Sequence, residues 1–515
     1  MLLSRCEKMS LYMKLSIFIM NIISIFIRPI LWFMYRKRLP NIPPIKNPLL
    51  RLSATTIARK IRNGDLKSET IVKAYIDRIQ EVNPFINAVI EDRFELAINE
   101  AKLYDEQLKS GKFIIHILEK EKPLYGVPIT IKESCCLSGM SYTGGSLLRK
   151  GIKALADGST VKIIKDAGAI PLLVSNTSEF CTSLHSYNFL YGHTLNPYDR
   201  RRTPGGSSGG EAALLGAGAS LIGLGSDIAG SIRIPSLFCG IFGHKPTTGI
   251  VSTAGHLPSI TGNINYMLVM GPMTRYAEDL NLMMNVLTSK CEKPLRSYDS
   301  IELKNLKVFY LDSFPDIKSS SKEIIEIVYK ASQYLINKGA IVQRFPKEKL
   351  KNILYMTFSL FSELKEFNLI EGRNSVLEMG KSIMGLSSFT QTCCLIQMFI
   401  DKNAFISVSK KQYYINATKK LTREMNDILK DNGILICPSY FRTASFPQTM
   451  IFEINNCIYS SLANITGLPS TQIPMGMDKN RLPIGFQVIS ATNQDYLCLL
   501  IAKEFEQIYG GWISH

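Results

Sequence analysis

The 515-residue chain contains no C-x-x-C, no H-E-x-x-H and no cluster of histidine and cysteine at metal-ligand spacing. Zinc ribbons and helix-borne zinc proteases are excluded on that pattern. Its eleven cysteines are odd in number and scattered, apart from the adjacent pairs Cys135-Cys136 and Cys393-Cys394. Disulfide frameworks use even, spaced sets in short secreted chains, so reduced thiols in a cytosol-facing protein are expected instead. No internal repeat is visible, and glycine (35) and proline (23) are at ordinary usage, which argues against a low-complexity region. Apolar residues at 46% and charged residues at 20% exclude a disordered or collagen-like chain. Negative charge is in short supply: 43 acidic against 60 basic side chains give +17, by itself a nucleic-acid signal. Nine basic residues and one acid fall within the first 51 positions, however, around an apolar segment. Membrane placement explains that concentration better than nucleic acid does.

Residues 9–35 read MSLYMKLSIFIMNIISIFIRPILWFMY, and ten of the thirteen residues from Leu15 to Ile27 are apolar. A spanning helix needs about 20 apolar residues, a length reached if Lys14 and Arg28 snorkel to the headgroups. Arg36-Lys37-Arg38 close the segment, and Trp32 and Tyr35 sit where interfacial anchors do. No A-x-A-like cleavage site follows, which disfavours a signal peptide. A buried core helix is the bland alternative. A signal anchor or monotopic membrane helix over 1–38 is the expectation, with the main body in the cytosol, at the endoplasmic reticulum or a lipid droplet. Pro40, Pro43, Pro44 and Pro48 mark an extended linker over 39–51, and the body runs from 52 to 515.

At roughly 100–200 residues per domain the length would allow about three domains. No second linker is visible, so one large α/β domain is simplest. Helical spacing covers 53–63, 68–82 (Ile71, Val72, Tyr75, Ile76, Ile79) and 95–111. Short apolar strands then alternate with helices: Leu124–Ile131, a helix at 161–167, and Ala169–Val174. Helices return at 321–338, 347–367 and 410–430, and strands at Ile434–Cys437 and Pro483–Ile489.

Twelve glycines crowd the 46 residues from Pro204 to Gly249. Gly205-Gly-Ser-Ser-Gly-Gly210 reads as a flexible linker in isolation, but the helix-forming Glu211-Ala-Ala-Leu-Leu follows it. It lacks the G-K-[ST] ending of a phosphate loop and the G-x-G-x-x-G of a dinucleotide site. As a catalytic loop it offers hydroxyls on a backbone that can approach a substrate closely. In Gly225-Ser-Asp-Ile-Ala-Gly-Ser-Ile-Arg-Ile-Pro235, Ser231 follows Gly230 as a nucleophile on a tight turn would. No G-x-S-x-G elbow surrounds Ser231, and none of the six histidines (116, 185, 193, 244, 256, 515) lies in a motif that singles it out. Lys132 ends the apolar run Val127-Pro-Ile-Thr-Ile. It either snorkels or, desolvated, gives up its proton and serves as a base; Ser-Lys pairs are an attested variant of the triad.

Together these elements resemble the amidase signature family. Gly126-Val-Pro-Ile-Thr-Ile-Lys132-Glu is similar to the family's catalytic-lysine strand. Gly205–Gly210, Gly225-x-Asp-x-x-Gly-Ser231-x-Arg233-x-Pro235 and Gly240-x-x-Gly-x-Lys-Pro246 resemble the signature itself. Asn176-Thr-Ser-Glu179-Phe, Asn196-Pro197 and the closing Gly467-Leu-Pro-Ser…Pro474-Met-Gly…Leu482-Pro-Ile-Gly485-Phe-Gln487 complete a resemblance over about 52–510. Within the family, the apolar N-terminus, Ala74–Pro84, Gly225-Ser-Asp-Ile and Gly240–Pro246 are most similar to membrane-bound fatty-acid amide hydrolases of the second type.

The resemblance implies a mixed twisted sheet covered by helices and a Ser-Ser-Lys triad. Ser231 would be the nucleophile, Lys132 the base, and Ser207, 24 positions before Ser231 as the family spacing has it, the relay on a cis peptide. Ser208 would support them, the backbone N–H groups of Ile228, Ala229, Gly230 and Ser231 would form the oxyanion hole, and Asp227 with Arg233 would brace the loop. No metal or cofactor is implied. One departure stands out: Ala229 replaces the first glycine of the family's Gly-Gly-Ser, which costs about 1–2 kcal/mol if φ is positive there. Large apolar side chains from Ile353 to Phe361 and from Leu395 to Ile400 read either as core or as the wall of an acyl-chain pocket.

The expected partners are a lipid amide, a membrane and a second copy of the chain, without nucleic acid. A tRNA-dependent amidotransferase subunit, an amidase of other small amides and an inactive lipid-binding relative are the alternatives. The sequons at Asn176 and Asn464 fall inside family motifs and read as unglycosylated, and Asn416-Ala-Thr is the third.

Overall fold

The computed structural model describes residues 5–37, 39–111, 114–260, 262–291, 295–298, 301–304, 306–315, 317–364, 368–402, 406, 408–430 and 432–514; the side chains of 5–18, 21, 263, 402, 408 and 409 lie outside the description. Among the described residues there are thirteen strands: β1 (Val89–Asp92), β2 (Pro128–Lys132), β3 (Ile170–Ser175), β4 (Tyr187–Asn188), β5 (Gly192–His193), β6 (Ile222–Asp227), β7 (Phe242–Lys245), β8 (Val269–Thr274), β9 (Lys307–Tyr310), β10 (Ile341–Arg344), β11 (Gly433–Cys437), β12 (Ser470–Met477) and β13 (Pro483–Ser490). All but the β4–β5 hairpin join one sheet in the order β1-β3-β2-β6-β8-β7-β12-β13-β11-β9-β10. It is mixed: β3, β2 and β6 run parallel, as do β11, β9 and β10, while β8, β7, β12 and β13 pair antiparallel.

Helices cover both faces, and strand alternation shows it. Ile434 and Ile436 of β11 enter one buried cluster, while Leu435 and Cys437 enter the other. The first cluster takes the helices Ala54–Arg62, Ser68–Ile86, Gly209–Gly216, Ala277–Leu287 and Asp495–Tyr509; the second takes Arg233–Phe238, Ile353–Phe361 and Ile458–Thr466. Strands β2 and β3 are buried along their whole length, which is why they read as apolar runs rather than alternating ones. The helix expected at 53–63 runs from Ala54 to Arg62, capped by Ser53 Oγ accepting from the Thr56 N–H.

The N-terminus departs from expectation. A 30-residue helix, Arg5–Met34, is present, but among the described residues no helix is long and apolar enough to cross a membrane. The expected spanning anchor is therefore not found. The helix is docked on the body. Ser24 and Arg28 donate to the buried carboxylate of Glu453, which also accepts from Arg442 and Ser445. Leu31 is buried on the same face, and Arg201 donates to the Tyr35 and Arg36 carbonyls at the helix end. The stretch expected as an extended linker over 39–51 forms no helix or strand from 39 to 47 but closes in a 3-10 turn at Pro48–Arg51; Ile42, Ile45 and Leu50 are buried, and Ile45 packs over Gly218, so the stretch is packed on the body.

Burial alone would raise the Glu453 carboxyl, but Arg442 and Arg28 bring it down to about 2. Its contribution is thus present above the ordinary value of 4.5 and fades as the pH falls toward 2. Glu453→Ala leaves two guanidinium groups without their carboxylate and is expected to cost about 3 kcal/mol. Hydrogen exchange over residues 19–34 should rise in this variant at neutral pH, and in the unmutated protein between pH 4.5 and 2; unchanged protection would show that the cluster does not hold the helix.

Candidate active site

The parallel strands β2 and β6 end side by side, with Lys132 at the carboxyl end of one and Ser226-Asp227 at that of the other. Ligand sites in open α/β sheets form at such carboxyl edges. Two loops, each leading into a helix, meet there. One carries Ser207 ahead of Gly209–Gly216; the other carries Ser231 ahead of Arg233–Phe238.

Glycine is required in the first loop because other backbone lies against it. A Cβ at Gly206 would sit 2.6 Å from the His185 nitrogen and the Ser183 oxygen, and one at Gly210 would sit 2.4 Å from the Asn176 oxygen. The Gly206–Ser207 peptide is cis. Thr177 and Ser186 hydroxyls both donate to the Ser207 carbonyl at 3.0 Å. Ser208 joins the two loops: its N–H donates to the Ser231 carbonyl (3.2 Å) and its hydroxyl to the Ser226 carbonyl (3.2 Å).

The second loop winds around Asp227. Its Oδ1 accepts from the Gly230 N–H (2.8 Å), Arg233 Nη2 (3.0 Å) and Asn464 Nδ2 (2.9 Å), and its Oδ2 from the Ile232 N–H and Arg233 Nε, both at 3.1 Å. Arg233 also donates to the Ser460 carbonyl (2.7 Å), Gln487 Oε1 (2.8 Å) and Asn464 Oδ1 (2.6 Å). Both side chains are fully buried. Burial would raise the Asp227 carboxyl, but the Arg233 charge holds it well below the usual carboxylate range.

Lys132 is fully buried, and its Nζ donates to Ser207 Oγ (2.6 Å) and Ser226 Oγ (2.9 Å). Ser226 Oγ lies 2.8 Å from His256 Nε2. Ser207, Ser226, Ser231 and His256 all line one cavity of about 1210 Å³, its open mouth included. Its remaining wall is mainly apolar. Of the apolar side chains over Ile353–Phe361 and Leu395–Ile400, Phe358, Phe361, Ile396, Phe399 and Ile400 line it, as the pocket alternative expects, whereas Ile353, Leu354, Met356 and Leu360 are core.

The structure brings Lys132, Ser207, Ser208, Ser231, Asp227 and Arg233 together. It corrects one expected oxyanion donor: the Gly230 N–H is taken by Asp227 Oδ1, and Gly230 does not line the cavity. Ile228, Ala229 and Ser231 do line it, and among the described residues no hydrogen bond occupies their N–H groups. Ala229 is not in the left-handed region, so alanine is unstrained there; the residue with positive φ (+109°) is Gly230. Sequence reasoning missed Ser226 and His256. Ser226 was visible in Gly225-Ser-Asp, but nothing local ties it to a histidine 30 positions on.

A family model described as Amidase matches residues 70–499. Fatty-acid amide hydrolase 2-B of Danio rerio is 39% identical over 497 residues, covering 93% of both chains. Fatty-acid amide hydrolase 2 of Homo sapiens is 35% identical over 486 residues, covering 91% of both. A solved structure of a fatty acid amide hydrolase superposes with a TM-score of 0.75 at 23% identity, over 90% of this chain and 86% of the other, a likeness of fold. The fold and the lysine-serine site thus define an amide-cleaving hydrolase. The chain belongs to the amidase family.

A Cβ at residue 230 would meet Ser460 Cβ at 2.5 Å and Ile234 Cδ1 at 2.8 Å, on top of the positive φ. Gly230→Ala is expected to lower amidase activity by about 10²-fold or more through displacement of the neighbouring donors. Ala229→Gly should change activity by less than about three-fold, since no strain is relieved. Steady-state rates of the two variants check this; a large gain from Ala229→Gly would show that alanine distorts the site.

Proposed function

We propose that this chain is a serine hydrolase that cleaves fatty-acid amides to a free fatty acid and an amine or ammonia. The observation that carries the reading is the buried Lys132 in hydrogen-bond contact with Ser207, which lines an apolar cavity that also presents Ser231. The names of the relatives, fatty-acid amide hydrolases over more than nine-tenths of each chain, support the substrate class.

In this mechanism Lys132, in its unprotonated form, takes the proton of the Ser207 hydroxyl, which takes that of Ser231. Ser231 Oγ attacks the amide carbonyl. The N–H groups of Ile228, Ala229 and Ser231 receive the oxyanion, each worth about 10²–10³ in rate when such a donor is removed. The proton returns from Lys132 through Ser207 to the departing nitrogen, without which an amine cannot leave. Water, deprotonated by the same relay, then releases the fatty acid from Ser231.

The membrane belongs to this reading. On the N-terminal helix the polar Ser24 and Arg28 face the body, while Ile25, Phe26, Ile30, Trp32, Phe33 and Met34 are exposed. That inverted polarity suits a helix lying in a lipid surface. It docks on the segment Pro447–Cys457, of which Ile454 and Cys457 line the cavity, so lipid surface and acyl pocket share a wall. Exposed Leu377, Ile383, Met384 and Leu386 add apolar surface beside the cavity-lining helix Gln391–Lys402. A cytosolic face, at the endoplasmic reticulum or a lipid droplet, fits the free thiols and the burial of Asn176 and Asn464.

Detergent-solubilised protein should be labelled by a fluorophosphonate and should hydrolyse oleamide. Ser231→Ala is expected to abolish labelling and to lower turnover by at least about 10³-fold. Labelling without oleamide turnover would contradict the lipid substrate, and turnover surviving in Ser231→Ala would contradict the nucleophile. Vesicle flotation checks the membrane: Phe26→Ser with Phe33→Ser should weaken binding, and equal binding would contradict that face.

A further inference from the structure

We infer that His256 is a positioning residue for Lys132, acting through Ser226 to set which way the lysine's lone pair faces. The inference rests on the lysine-serine reading above and extends it to two residues outside the triad.

His256 Nδ1 is 2.9 Å from the Pro258 carbonyl, and a carbonyl only accepts, so Nδ1 carries the ring hydrogen. In the neutral ring Nε2 then offers a lone pair. Ser226 Oγ, 2.8 Å away, is the nearer donor to it, and Ser134 Oγ, at 3.2 Å, is a second. The backbone holds the ring in place: the His256 N–H donates to the Thr253 carbonyl (3.1 Å), and the Leu257 N–H to that of Ser134 (2.8 Å). Once the Ser226 hydrogen is committed to Nε2, only the oxygen lone pairs of Ser226 face Lys132 Nζ, at 2.9 Å.

The consequence is a matter of proton counting. An unprotonated lysine has two N–H bonds and one lone pair. Ser226, unable to donate toward it, accepts one N–H and so leaves the lone pair free to face Ser207 Oγ, 2.6 Å away, to which the protonated lysine donates; that is the direction that proton transfer requires. Without His256, the Ser226 hydroxyl turns and donates to the lysine lone pair, and the base is occupied by the wrong hydroxyl. When Lys132 takes up the proton, the extra N–H finds acceptors in Ser207 and Ser226, and the Ser226 hydrogen still rests on His256. No bond is made or broken at His256; it fixes the direction of a proton passed between Ser207 and Lys132.

An amide nitrogen must be protonated as it leaves, whereas an alkoxide leaves an ester with far less help. The test therefore compares oleamide with methyl oleate, two substrates that share one acyl chain, on His256→Leu, His256→Gln, Ser226→Ala and the double variant His256→Leu with Ser226→Ala. His256→Leu is expected to lower kcat on the amide by about 10²-fold, with KM within about two-fold and the ester rate down by less than about five-fold. His256→Gln, which places an acceptor near the Nε2 position, should recover most of the loss. The double variant should be no worse than Ser226→Ala alone, because the histidine acts through that serine. Equal losses on amide and ester, a change confined to KM, no recovery with glutamine, or losses that multiply in the double variant would overturn the inference. Fluorophosphonate labelling and thermal melting of every variant separate lost positioning from lost folding, and glutamine keeps the test open if leucine fails to fold. Failure of the unmutated protein to cleave the amide would instead overturn the amidase reading, and this inference with it.

Discussion

The buried ion pair between Asp227 and Arg233 is the constraint on which the site depends. Removing two charges from water costs several kcal/mol per ion, and the attraction offsets this only when the remaining hydrogen bonds are complete. Here they are. The carboxylate accepts from three backbone N–H groups, of Gly230, Ile232 and Arg233, from the guanidinium and from Asn464, and every nitrogen of the guanidinium donates. Ser231 lies between the two charged residues in sequence, so the place of this proposed nucleophile is set by the pair. Arg233 reaches Gln487 on β13 and the carbonyl of Ser460, carrying the constraint across the sheet to segments more than 200 positions away.

That arrangement divides the labour of the loop. The Gly230 N–H is given up to hold Asp227, and Ile228, Ala229 and Ser231 are left facing the cavity. Gly230 is needed for its positive φ and for the closeness of Ser460, whereas Ala229 fits because its backbone is ordinary. Opposite them Lys132 is buried among hydroxyls, with Ser207 and Ser226 on Nζ and the histidine one step further out. A basic group held by acceptors that can also donate is suited to passing a proton in both directions, which cleavage of an amide requires.

Much of this was legible in the sequence where a residue type answers a local need. Gly206 and Gly210 stand where backbone leaves no room for a side chain, and Lys132 ends a strand buried along its length. The closing Phe486-Gln487 carried the resemblance because Gln487 is the far end of the Arg233 network, accepting from Arg233 and donating to two carbonyls. What was not legible depends on partners distant in the chain. The apolar run within residues 9–35 reads as a membrane anchor, but Glu453, 425 positions from Arg28, turns the helix's polar side inward onto the body. His256 belongs to no motif, and its role follows from a strand end and a turn that meet only in the fold.

The most direct test of the account is the covalent intermediate. Protein mixed with oleamide, quenched in acid within the first turnovers and digested, should yield one peptide carrying an oleoyl group on Ser231. Its amount should fall below detection in Lys132→Ala, where nothing accepts the proton. An oleoyl group on another residue, or hydrolysis that proceeds with Ser231 unmodified at every quench time, would contradict the account.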